Sequence, residues 1–117
     1  MLTIPAAVRI YLCTQPIDCR RSFDGLAGLV RDFMKCEPLS GHLFVFRNRS
    51  GHLLKILHWD RDGLAIWYKR LERGTFVLPK LASAATAAWE LSAAELAMLL
   101  EGLDLNNLRR HPRYRLP

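Results

Sequence analysis

The chain reads as one α+β domain, with an antiparallel β-meander of three to five strands, an N-terminal amphipathic helix packed on it and a C-terminal helix. Three observations carry this reading. Between Gly41 and Pro79, short aliphatic and aromatic runs are separated by clusters of turn-forming residues. From Phe23 to Phe33, apolar residues recur at three- and four-residue steps. Ser92-Ala93-Ala94-Glu95 has the spacing of a capping box and stands ahead of an apolar run.

In chain order, Arg9 to Cys13 predicts a first strand, which Pro16 breaks by removing a ladder donor. The helix after it presents Phe23, Leu26, Leu29, Val30 and Phe33 on one face, with Ser22 as N-cap and Asp24 suited to the positive end of the helix dipole. Residues Cys36 to Gly41 end it. His42–Arg47, Leu53–Trp59 and Leu64–Arg70 then predict three strands. Asn48-Arg49-Ser50-Gly51 joins the first two and Asp60-Arg61-Asp62-Gly63 the last two. Thr75–Leu78 predicts a further short strand closed by Pro79, and Thr86–Leu91 another. The C-terminal helix runs from Ser92 towards Gly102. The domain is expected over residues 1–105, followed by a basic tail, 106–117, without a structural period and expected to be disordered.

With 117 residues the chain is long enough to bury a core without staples. No apolar run reaches the roughly 18 residues of a membrane span. Met1–Val8 has neither a cationic start nor a sustained apolar stretch, so a cytoplasmic protein is expected. The three cysteines, Cys13, Cys19 and Cys36, form no C-x-x-C pair and read as reduced, packed thiols. Nothing in the spacing of Cys and His suggests a zinc site, and no cofactor is expected.

Charge is unevenly placed. The net charge is +6. Residues 1–80 hold 13 Lys/Arg against 7 Asp/Glu, residues 81–105 hold four acids and no Lys or Arg, and the last twelve residues hold four Arg and no acid. A polyanion is the natural partner of the basic portions. The meander concentrates the signal, because Arg47, Arg49, Lys55, Arg61, Lys69, Arg70 and Arg73 share it with Trp59, Trp67 and Tyr68. Cations neutralise phosphates and aromatic rings stack on unpaired bases. The candidate nucleic-acid-binding residues are Arg47, Arg49, Lys55, Trp59, Lys69, Arg70 and Arg73, with Arg20 and Arg21 adding to the surface.

Which of these share a face depends on one hairpin. A four-residue loop pairs Trp59 with Leu64, whereas a five-residue loop pairs odd positions with odd and gathers Lys55, Trp59, Trp67 and Lys69 on one side. Leu96, Leu99 and Leu100, at helical spacing in the acidic segment, are candidate partner contacts as well as core residues. Asp60, Asp62 and Glu72 would be the acids of a metal-dependent nuclease, but turn and ion-pair roles account for them. No G-x-S-x-G, P-loop or G-x-G-x-x-G is present, and a non-enzyme is expected.

The runs Gly41–Arg49, Lys55–Gly63 and Trp67–Phe76 with Pro79 resemble the signature of the TnpB-type accessory protein, the second open reading frame product, of the bacterial insertion-sequence sixty-six family. Asp18–Leu26 resembles its N-terminal motif and Leu99–Gly102 its C-terminal one, so the likeness covers about residues 8 to 105. Cys19 stands where the family often has Met, and the basic tail lies outside the matched region. The resemblance implies an assistant of transposition with no defined biochemical activity, encoded beside a separate, larger transposase that carries the catalytic carboxylates; the mechanism expected of it is non-catalytic DNA binding by the meander. DNA at the element's ends and that transposase, or another accessory subunit, are the partners it implies.

Overall fold

The computed structural model describes residues 4–18, 20–78 and 86–102. Its elements are β1 (Ile10–Cys13), α1 (Phe23–Asp32), β2 (Leu43–Arg47), β3 (Leu53–Asp60), β4 (Gly63–Arg70), β5 (Ala88–Leu91) and α2 (Ala93–Leu100). The strands form one sheet in the order β4-β3-β2-β1-β5. β2, β3 and β4 follow one another as antiparallel neighbours, and β5 pairs antiparallel with β1. β1 and β2, however, are parallel, with Ile10 opposite Leu43 and Leu12 opposite Val45. The expectation of an all-antiparallel sheet is therefore corrected to a mixed one. The cause is α1, which lies between β1 and β2 in the chain. A helical crossover returns the chain to the end of the sheet where it began, so the next strand runs in the same direction.

Residues paired across strands share a face, and the pairings divide the core in two. On one face Ile10, Leu12, Leu43, Val45, Leu54, Ile56 and Leu91 pack with Phe76 and with Leu96 and Leu99 of α2. On the other, Cys13, Phe44, Phe46 and Leu57 pack with Leu26, Ala27 and Val30 of α1, and with Ile17 and Met34. The central strand β2 is thus covered on both sides, and Leu43 to Phe46 are all buried. That is why its sequence is continuously apolar instead of alternating.

The turns follow local chemistry. Asn48 is buried, and its Oδ1 accepts hydrogen bonds from the N–H groups of Gly51 (3.1 Å) and Leu53 (3.0 Å). Gly51 has φ +80°, a left-handed backbone that calls for glycine, and its missing Cβ leaves room for the Arg47 guanidinium. The strand expected at Thr75–Leu78 is not formed. Phe76 instead drops into the core, its N–H donating to the Gly51 carbonyl (2.8 Å) and its carbonyl accepting from Arg47 Nε (2.7 Å).

The two helices begin differently. Ser92 Oγ accepts from Glu95 N–H (3.0 Å) while Glu95 Oε1 accepts from Ser92 N–H (2.9 Å), completing the capping box. Ser22 occupies the N-cap position of α1 with extended backbone, but its hydroxyl makes no cap hydrogen bond. The expected basic tail, 106–117, and Cys19 lie outside the described residues.

Candidate nucleic-acid interface

The β3–β4 hairpin is tight. Asp60 pairs with Gly63, leaving Arg61 and Asp62 at the tip, and Arg61 takes the left-handed conformation (φ 56°) that closes it. Trp59 therefore lies opposite Leu64. This register places Lys55 and Trp59 on the α1 side of the sheet with Tyr68 and Arg70, and turns Trp67 and Lys69 to the α2 side with Arg47. The single face holding Lys55, Trp59, Trp67 and Lys69 does not exist.

Of the cations, the fold gathers Arg20, Lys55 and Arg70. α1 covers Phe44, Phe46 and Leu57 but leaves bare the corner of the sheet where β3 starts and β4 ends. There, Arg20, Ser22, His52, Leu53, Lys55, Tyr68, Arg70 and Glu72 line a groove of about 800 Å³. Lys55 is its buried support. Only 9% exposed, its Nζ donates to the Arg21 carbonyl (2.7 Å) just ahead of α1 and stands 5.5 Å from the Tyr68 ring centroid. Lys55 therefore fixes the start of α1 to the sheet instead of presenting its charge to solvent.

Arg20 and Arg70 stand at the rim. Arg20 Nη2 pairs with Asp18 Oδ2 (2.8 Å) and Arg70 Nη2 with Glu72 Oε1 (3.0 Å). The Arg20 hydrogen bonds hold the Asp18 carboxyl well below its ordinary range. Both pairs are largely exposed, so solvent screens them and they add little to stability. The lining carries three cationic side chains against one carboxylate.

The other candidates lie elsewhere. Arg47 is partly buried on the opposite face, where it holds Phe76, and desolvation lowers its pKa. Lys69, also on that face, donates from Nζ to the Leu100 carbonyl (2.9 Å) at the end of α2. Arg49 is exposed in the β2–β3 turn and Arg73 beyond β4. Trp59 is half-buried, four residues along β3 from Lys55 and so about 13 Å away. Arg21 contributes its carbonyl to Lys55, while its exposed side chain lies with Asp18, Leu29 and Phe33 around a separate small pocket. Leu96 and Leu99 are 1% and 0% exposed, so the partner contacts expected of them are taken up by the core; Leu100 is half-buried.

The groove is also lined by Tyr68, His52 and Ser22, which the sequence did not single out as candidates. The signal for Tyr68 was its place beside Lys55 in the ladder, which becomes legible only once the hairpin register is known. The acids do not assemble. Asp60 and Asp62 are at the hairpin tip while Glu72 follows the far end of β4, seven strand steps or about 23 Å from Asp60. Among the described residues no group of three or more His, Cys, Asp or Glu could hold a metal ion, and no helix is long and apolar enough to cross a membrane. Burial pushes the Cys13 and Cys36 thiols up; Cys13 is buried and Cys36 partly so.

Comparison with known proteins places this architecture in a family. The family model described as IS66 Orf2 like protein matches residues 8–110. Among curated proteins, uncharacterized protein y4hO of Sinorhizobium fredii (strain NBRC 101917 / NGR234) is 44% identical over 112 residues, covering 96% of this chain and 91% of its own. Uncharacterized protein y4jC of the same organism is 35% identical over 105 residues, 90% of this chain and 87% of its own. No solved structure matches. The matched region takes in every strand and both helices, and the chain belongs to the IS66 Orf2-like family of transposition-associated accessory proteins.

Proposed function

We propose that this accessory protein acts without catalysis, by binding DNA of the mobile element through the groove between the start of α1 and the β3–β4 corner. The observation that carries the reading is the convergence of Arg20, Lys55 and Arg70 with Tyr68 around one groove beside the start of α1. Arg20 and Arg70 would bridge to phosphates, while Lys55 keeps the groove's two walls together. Arg49 and Arg73, exposed beyond the strand ends, would extend the cationic surface. A role in holding the transposase through α2 is left with Leu100 alone of its three proposed contacts. A nuclease reading has no clustered acids behind it in the described residues.

The test is electrophoretic mobility of the element's terminal repeats across salt, with unrelated DNA as the control. Affinity is expected to fall by roughly one power of salt concentration per phosphate neutralised. Replacing Arg20 and Arg70 by Ala together should weaken binding at least about tenfold and flatten the salt slope by about two, with thermal stability unchanged. No retardation at low salt would overturn the reading.

A further inference from the structure

We propose that the groove takes an unpaired strand, with a base stacked on Tyr68 between phosphates held at Arg20 and Arg70; the inference rests on the DNA-binding reading above. Tyr68 is 63% exposed, yet it stands within a concave site instead of on a convex surface. Phe23 and Leu39 are also exposed, but neither lines the groove. The Lys55 ammonium lies over the ring, 5.5 Å from its centroid. Lys55 is itself held by the Arg21 carbonyl, so the platform is pre-positioned.

A ring in this setting adds little to a phosphate-only interface. In a duplex the base faces are already stacked on each other, and the outside of the helix offers phosphates and groove edges. Only an unpaired base presents a free π face to an aromatic side chain that has cations nearby. Arg70 is two residues along β4 from Tyr68, so both side chains leave the same face of the strand. Arg20 stands across the groove from it on the α1 side.

The experiment measures fluorescence anisotropy of the full chain with a labelled oligonucleotide of about 20 nucleotides from an element end, single-stranded and as the duplex. Tyr68→Ala is expected to weaken single-strand binding at least about fivefold while changing duplex binding less than about twofold. Tyr68→Phe should restore single-strand affinity, because the ring and not the hydroxyl does the stacking. Equal loss on both DNA forms, or no loss on either, overturns the inference and leaves the DNA reading standing. Failure of the wild-type chain to bind either form at low salt overturns both, and leaves the groove to an acidic protein surface.

Discussion

Two adjacent side chains on β4 show how one position decides a role. Lys69 and Arg70 have the same charge and similar exposure, yet they leave the sheet on opposite sides. Lys69 reaches the Leu100 carbonyl, where a cation meets the negative end of the α2 dipole. Arg70 lines the groove beside Tyr68. The two should therefore separate experimentally. Lys69→Ala is expected to lower stability by about 0.5–1.5 kcal/mol and leave DNA affinity within about twofold, as read by thermal denaturation and mobility shift. Arg70→Ala should do the reverse. If both changed affinity alike, the assignment of the two faces to different tasks would be wrong.

At the scale of elements, the two helices divide the work. α2 is anchored at both ends, by the Ser92–Glu95 capping box and by Lys69 at Leu100, and it covers one face of the sheet with Leu96 and Leu99. Ser92→Ala should cost about 1 kcal/mol in chemical denaturation, with no effect on DNA binding, because the cap lies on the face away from the groove. α1 is held differently, through Lys55 and the Arg21 carbonyl, with the Ser22 hydroxyl making no cap bond. That arrangement leaves the start of the helix facing the groove with Arg20 and Ser22 on its wall. Most elements were legible from the residues: the period of α1, the Ser–Glu spacing of α2, and the turn chemistry of Asn48–Gly51 and Asp60–Gly63. Thr75–Leu78 was not. Its composition suits a strand, but with the Asn48–Gly51 turn and Arg47 already offering hydrogen-bond partners, burying Phe76 satisfies the same residues without a ladder.

For the whole molecule, the sheet separates the α2 side from the side proposed to bind DNA. The α2 side is core, with Leu99 fully buried among Leu12, Val45 and Ile56 or their neighbours in one cluster. Leu99→Ala should therefore cost about 2–5 kcal/mol of stability, measured by chemical denaturation. A transposase pull-down that lost signal with Leu99→Ala at unchanged stability would instead restore α2 as a partner surface. The amino-acid sequence by itself determined the class of fold, the family, the α1 and α2 periodicities, and the concentration of positive charge between Arg47 and Arg73, because each rests on local composition or on spacing within a few residues. Only the tertiary structure decided that β1 runs parallel to β2, that Lys55 is a buried tie and Arg47 a strut for Phe76, and that Arg20, Tyr68 and Arg70 share a groove. The physical reason is the side-chain period of two in a strand. One residue of hairpin register moves every later cation to the other face, and that register was set by how Arg61 and Asp62 close the turn between Asp60 and Gly63.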